Sequence, residues 1–443
     1  MGDIYKGSYC NIAASTALDG SYGCFNHRYS TFFERLLVIT KWKGLPYLWE
    51  ETHEPWIWTH ALETPLLRRG WVLQEWLLAR RTLHFGEKMV YWECREMTAS
   101  EYDPEGIELQ KRPFKIPYTF GGTSTDGVEI LKLWMKLVMK YSGTSITRSE
   151  DKLIAISGIS KEFDRLFRSA KQECQYLAGM WSMDLVYQLL WRRDTGISWD
   201  PKPSQNPQHD LKSPPAYRAP SWSWASVDFK IRFMLGDIWR ASVTLHALID
   251  IINYQVEPLE EDSSLQIIGG RLHARGWLFT VGYLYRVTKP WSMEILSDYA
   301  EPTETPLSAD RRFVLPIAFF QKQESPFILK VHGLILKSTG DGIRSFERVG
   351  RVRFDVFFEK GLELEDITHE TSGEDYALTT EPCFKETHQW IVGIFDKWSS
   401  AISTNQTEVV QHFLEATKSL QCASPDNIIQ GYQSNYLYDI KID

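Results

Sequence analysis

The sequence predicts an α+β fold, and three observations carry that expectation. Residues 67–80 repeat apolar side chains at helical spacing and run directly into two short β-rich segments. Residues 127–191 continue at helical intervals, with apolar and aromatic residues recurring on one face. From about residue 240 onward the pattern changes to a period of two, as in 265–268, 272–278, 313–319, 328–336 and 352–358, which predicts antiparallel strands. Four regions follow: a mixed α/β segment over 1–105, a helical region over 106–195, a proline-rich connection over 196–225, and a largely antiparallel β region over 226–443. At 443 residues, 43% hydrophobic and 24% charged, the chain is long enough for two or three cores.

The first region contains the most informative stretch, Leu67 to Cys94. Leu67 to Arg80 is rich in Leu, Gln, Glu and Arg and begins beside Pro65, a residue suited to a first helical turn. On such a helix the neighbours of Glu75 are Trp71, Val72, Leu78 and Ala79, so no Lys or Arg pairs with it. A carboxylate on an apolar face either shifts its pKa or takes hydrogen bonds from elsewhere in the fold, and such groups concentrate at functional sites. Glu75 is therefore a candidate site residue; the alternative is a structural glutamate that accepts from loop amides or from a distant arginine. Thr82 to Phe85 and Met89 to Cys94, separated by Gly86-Glu87-Lys88, predict a hairpin. His84 and Cys94 have no ligand pair at metal spacing near them, so both read as packed strand residues and no metal is assigned.

In the second region helices are expected over 127–141, 150–163 and 173–191, with Ser149 capping the second and Met180, Met183 and Tyr187 forming a core stripe. Six prolines between Pro201 and Pro220 then exclude a helix. The Trp222 and Trp224 alternation that follows fits a strand. Acidic loops are expected at 257–262 and 363–366, and 390–398 and 407–420 return to helical spacing.

Composition excludes several functions. The 18 Trp, 20 Tyr and 22 Phe indicate aromatic-rich cores rather than a sugar-binding surface, because Trp76, Trp134, Trp181 and Trp191 stand beside Leu, Val or Met. A net charge of −8 without a basic stripe argues against nucleic acid. The six cysteines are irregularly spaced, which predicts reduced thiols rather than a disulfide framework. Neither a leader peptide nor an apolar run of membrane-spanning length is visible, so a soluble, cytoplasmic protein without a membrane partner is expected.

Asp3-Ile4-Tyr5 with Tyr9-Cys10-Asn11-Ile12-Ala13-Ala14-Ser15, the block Leu67 to Cys94, Asp151 to Ile159, Tyr176 to Trp181 and Tyr217 to Ser226 together resemble the blocks of fungal heterokaryon incompatibility (HET) domain proteins. The resemblance extends to Gly333-Leu334-Ile335-Leu336-Lys337 and Phe346 to Gly350, and so spans nearly the whole chain. Blocks that precede Asp3-Ile4-Tyr5 in that family are not in this sequence, so it looks like a HET protein lacking the N-terminal part of the domain.

HET proteins act in fungal non-self recognition and programmed cell death, and the resemblance implies that role here, exercised mainly through contacts with a protein partner or by self-association. Such domains have also been related to TIR domains, some of which cleave NAD with a helical glutamate that follows a tryptophan. That analogy makes the first region TIR-like, Glu75 the catalytic carboxylate and Trp71, four residues earlier, the substrate-binding ring, with NAD as the substrate of a glycohydrolase-like reaction. No phosphate loop, GxGxxG, GxSxG or HExxH supports a second chemistry, and no cofactor is expected. A third reading is an inert, truncated remnant whose open sheet edges promote aggregation.

Overall fold

The computed structural model describes residues 2–25, 37–42, 45–50, 64–87, 89–95, 97–101, 104–108, 126–194, 214, 216–234, 243–260, 263–276, 278–280, 293–298, 312–322, 325–339, 345–357 and 438–443. They fall into two compact units, residues 1–183 with 260–266 and residues 184–259 with 267–443. Helices and sheets are both present, and the fold is mixed α+β. The expected helices at 390–398 and 407–420, the acidic segment 363–366, Cys383 and Cys422 lie outside the described residues, as does most of the proline-rich connection.

The first unit opens with helix α1 (Gly2–Gly7) and strand β1 (Asn11–Ala13), followed by the paired strands β2 (Leu37–Trp42) and β3 (Leu45–Glu50). Helix α2 (Gly70–Leu78) leads into strands β4 (Arg81–Phe85), β5 (Val90–Cys94), β6 (Met97–Ser100) and β7 (Ile107–Glu108). Helices α3 (Gly127–Ser142) and α4 (Ser157–Ser169) and the small hairpin β8 (Tyr176–Leu177) and β9 (Met180–Trp181) complete it. The sheet order is β1-β4-β5-β6-β7, with β1 parallel to β4 at one edge and the other pairs antiparallel.

The expected hairpin is present, with Arg81 opposite Cys94 and Phe85 opposite Val90. Its turn needs glycine: a Cβ at Gly86 would lie 2.7 Å from the Met89 carbonyl oxygen and 2.6 Å from the Tyr91 ring. The α3 stripe is core, with Ile130, Leu131, Trp134, Met135 and Val138 fully buried. The rings of Phe163, Tyr176 and Trp181 meet Trp134 edge-on at 5.0, 5.9 and 5.7 Å, and Trp134 Nε1 donates to the Gly179 carbonyl at 3.0 Å.

Four local expectations are corrected. The helix expected over 67–80 is a 3₁₀ turn at Leu66–Arg68 followed by α2, because Arg69 is extended (φ −88°, ψ 128°) and its neighbour Gly70 donates to the Ser145 carbonyl at 2.9 Å. The helix expected over 150–163 is two 3₁₀ turns, Ser149–Asp151 and Ile154–Ile156, ahead of α4, and Ser149 lies inside the first turn instead of capping a helix. The segment 173–191 is not one helix but the β8–β9 hairpin followed by a single helical turn at Leu185–Gln188, since Ala178 and Gly179 both take positive φ (49° and 97°), the geometry of a two-residue hairpin turn. Residues 221–226 are turns and a 3₁₀ segment, not a strand. There Ser223 Oγ accepts the Ala225 N–H at 3.0 Å and Ser226 Oγ donates to the Ser223 carbonyl at 2.7 Å, so serine hydroxyls take over the backbone partners a strand would need.

The second unit contains the short helix α5 (Leu185–Gln188), the pair β10 (Arg192–Arg193) and β11 (Ile231–Arg232), and strands β12 (Val243–Ala247), β13 (Asp250–Glu260), β14 (Ser263–Gly276), β15 (Phe279–Thr280), β16 (Met293–Ser297), β17 (Arg312–Lys322), β18 (Ser325–Ser338), β19 (Ser345–Phe357) and β20 (Tyr438–Ile442). Its sheet runs β12-β17-β18-β19-β20-β14-β13, with β15 on β17 and β16 on β19. Glu257 lies within β13 rather than in the acidic loop expected there. A fully buried Arg348 is clasped in this unit: Nε donates to Asp298 at 2.9 Å, Nη1 and Nη2 to the Leu189 and Trp191 carbonyls at 2.8 Å, and the guanidinium stacks 3.4 Å from the Trp191 ring centre.

Among the described residues no helix is long and apolar enough to cross a membrane. Cys10, Cys24, Cys94 and Cys174 are free thiols.

Candidate functional site

Helix α2 is fixed at its start, along one side and beneath. At its start Gly70 donates to Ser145 while Ser145 N–H donates to the Arg68 carbonyl at 2.7 Å, and any side chain at position 70 would strike Ile146 Cγ1 at 2.6 Å. Along one side the buried amide of Gln74 accepts the Gly158 N–H at 2.7 Å, tying α2 to the first turn of α4. Beneath, Leu73, Trp76 and Leu77 are almost wholly buried, and Trp76 Nε1 donates to Glu93 Oε2 at 2.5 Å. Lys140 of α3 lies 5.9 Å from the centre of the Trp76 ring.

This arrangement leaves Glu75 half-buried on the remaining side of the helix. Its carboxylate accepts a hydrogen bond from the Tyr5 hydroxyl of α1. Partial burial and the adjacent carboxylate push the Tyr5 phenol up to about 12, because its ionised form would set one anion against another. Among the described residues the partner of Glu75 is thus a phenol from a different helix. Trp71 is also half-buried and stands one turn before Glu75, so the two lie on the same face of α2.

Under α2 lies a buried polar face that the sequence reading passed over. Paired positions on antiparallel strands share a face, so Thr82, His84, Tyr91, Glu93, Thr98 and Ser100 all point the same way, and all are less than a tenth exposed. Burial pushes the Tyr91 hydroxyl up to about 12. Within this face His84 Nε2 lies 3.3 Å from Glu93 Oε2, and His84 Nδ1 lies 3.2 Å from Ser15 Oγ. Because the carboxylate can only accept, the consistent neutral tautomer has the proton on Nε2 and Nδ1 receiving the serine hydroxyl.

Hydroxyl, imidazole and carboxylate therefore stand in the order of a nucleophilic triad, but the surroundings do not suit that chemistry. Ser15 is 1% exposed, and its N–H is already engaged with the Ala13 and Phe85 carbonyls at 2.9 and 3.1 Å. What the relay does is hold the loop after β1 against β4. The signal for it was present in the alternation of Thr82 and His84, Tyr91 and Glu93, and Thr98 and Ser100. Cys94 pairs with Arg81 and faces the opposite side of the hairpin from His84, so the two share no site. Among the described residues no cluster of three His, Cys, Asp or Glu side chains could hold a metal ion.

Neither the curated proteins nor the solved structures contain a match to this chain. The family model described as Heterokaryon incompatibility protein (HET) does match, over residues 1–75, a span that runs from α1 to Glu75 itself. Over its first 75 residues the chain is thus similar to heterokaryon incompatibility domain sequence.

Proposed function

We propose that this chain is a heterokaryon incompatibility effector of fungal non-self recognition and cell death, acting through protein contacts. One observation carries the reading: the HET-matched segment displays large apolar side chains on its outside. Ile4, Tyr9, Ile12, Leu18, Tyr22 and Phe25 are between 56% and 82% exposed. Single exposed apolar residues are ordinary, but six within the first 25 positions are what a surface built to be covered by another polypeptide shows. Among the described residues Ile12 also sits on β1 at the edge of its sheet, a position that favours strand addition by a partner chain.

A second reading is NAD cleavage, with Glu75 as the catalytic carboxylate and Trp71 as the substrate-binding ring. It is supported by their shared, half-buried face on α2 and by the phenol that orients Glu75. A carboxylate so held would stabilise the oxocarbenium-like transition state of glycosidic cleavage.

The test is a cell-death assay in a fungal host, with cellular NAD followed in parallel, for the full chain and for Glu75→Gln and Ile12→Asp/Phe25→Asp. The interaction reading expects death without NAD loss, unaffected by Glu75→Gln and abolished by the double apolar change. Death with NAD loss that Glu75→Gln removes would establish the enzyme instead. Absence of death with any form would overturn both.

A further inference from the structure

Helix α1 is attached to the rest of its unit in an unusual way. It packs against α2 and α4, yet none of its residues is buried. Its neighbours are anchored by apolar burial, with Leu73, Leu77 and Leu78 in α2 and Ile159, Phe163 and Phe167 in α4 at 2% exposure or less. The attachments of α1 are polar. The Tyr5 hydroxyl donates to Glu75, and Lys6 Nζ meets Glu162 Oε1 at 2.7 Å, a carboxylate that Arg165 of α4 also holds. Ile4 points away and is 71% exposed. Gly2 completes the fit by close approach: a Cβ there would lie 3.2 Å from Leu78 Cδ1 and 3.3 Å from Gly158 Cα. The helix ends at once, as Ser8 donates through its N–H and hydroxyl to the Tyr5 carbonyl at 3.2 and 2.7 Å.

Held, among the described residues, by two polar contacts and no buried side chain, α1 belongs to the low end of the local-stability scale, whereas α2 and α4 belong to the high end. We infer that α1 is a cap over Glu75 that opens independently of the helices beneath it, releasing the Tyr5–Glu75 and Lys6–Glu162 contacts together. When closed, the phenol occupies the carboxylate. When open, the carboxylate can take a ligand that presents hydroxyl donors in place of the phenol, such as the diol of a ribose. The ligand class rests on the Glu75 reading, whereas the opening itself does not.

The experiment is carboxyl labelling of the full chain with a carbodiimide and an amine, read at Glu75 by peptide mass spectrometry, alongside hydrogen exchange of residues 3–8 and 71–78. The forms compared are the native chain, Tyr5→Phe, Lys6→Met and, as a control, Tyr9→Phe. Lys6→Met does not touch Glu75, so its effect on Glu75 has to pass through the cap. Loss of this ion pair should raise Glu75 labelling and exchange of residues 3–8 roughly threefold. Tyr5→Phe should raise both roughly tenfold, since it removes a hydrogen bond to a charged acceptor. Exchange of 71–78 should stay unchanged in every form. If residues 3–8 and 71–78 exchange together, or if Lys6→Met leaves Glu75 labelling at the native level, α1 is a fixed part of the helical layer and the cap is overturned. Adding NAD separates the two ideas: independent opening with no ribose-dependent protection of Glu75 upholds the cap and removes the proposed ligand.

Discussion

Replacing Glu93 by leucine tests what holds α2, and with it Glu75, in place. Glu93 is 5% exposed, and one of its oxygens accepts both the Trp76 indole N–H at 2.5 Å and the His84 Nε2 proton at 3.3 Å. Leucine matches much of the volume but accepts nothing. Each buried donor left without a partner costs about 1–3 kcal/mol, and the long His84 contact belongs at the low end of that range, so Glu93→Leu should cost about 2–5 kcal/mol. Glu93→Gln keeps a carbonyl for Trp76 and loses only the charge, so it should cost about 1 kcal/mol. Hydrogen exchange of the α2 amides reads the change locally, and 2 kcal/mol corresponds to exchange about thirtyfold faster. A double-mutant cycle with Trp76→Phe should show coupling of about 1–3 kcal/mol, because the two changes break one contact. If α2 protection in Glu93→Leu falls by less than about 0.5 kcal/mol, or if the two changes add without coupling, the polar face is not the anchor of α2.

Three further outcomes follow from the packing. Gly158→Ala would bring a Cβ within 2.6 Å of Gln74 Oε1, the acceptor of the Gly158 N–H, and within 3.1 Å of Leu78 Cδ1, so urea denaturation should show a loss of about 1–3 kcal/mol; Gly7→Ala, with nothing within 4 Å, should stay within about 0.5 kcal/mol of the native chain. Tyr5 has a folded pKa raised to about 12 from 10, so its contribution is fully present below pH 10 and is lost as pH rises from there through about 12; the 295 nm absorbance titration of the native chain minus that of Tyr5→Phe should show one tyrosine ionising near pH 12, and a midpoint at 10 would refute the contact. Arg348→Ala strands the buried Asp298 carboxylate, whose pKa burial already pushes up against the pull of Arg348, and should cost about 3–5 kcal/mol in thermal or urea unfolding, with Arg348→Lys intermediate because lysine keeps the charge but not the fork.

What was legible in the sequence follows from the range of the interactions involved. The β4–β5 hairpin was readable because Gly86 and two alternating runs are local signals, and α3 because its buried stripe recurs within a single helix. The 173–191 segment misled because Tyr176, Met180, Met183 and Tyr187 also satisfy a helical spacing. Only the left-handed Ala178-Gly179 pair, stabilised by the indole of Trp134 donating to Gly179 from 45 residues away, turns that spacing into a hairpin. Likewise Arg69 breaks the expected helix because Ser145, far along the chain, offers a carbonyl to Gly70.

The site divides in the same way. That Glu75 lacks a cation within its own helix could be computed from the sequence, because positions three and four away are fixed by helix geometry. That its partner would be Tyr5 could not, because the pairing depends on α1 docking against α2 and α4 through Gly2 and Lys6. Ser15, His84 and Glu93 show the limit from the other side. The period-two spacing of Thr82 with His84 and of Tyr91 with Glu93 announces a polar sheet face, but nothing in it says whether the face is open or covered. Trp76 decides that by lying over Glu93, so a row of residues with the chemistry of a relay becomes the foundation on which α2 rests. The outer side of α2 differs from that polar face in being reachable: Trp71 and Glu75 are only half-buried there, and no residue of the neighbouring α1 is buried.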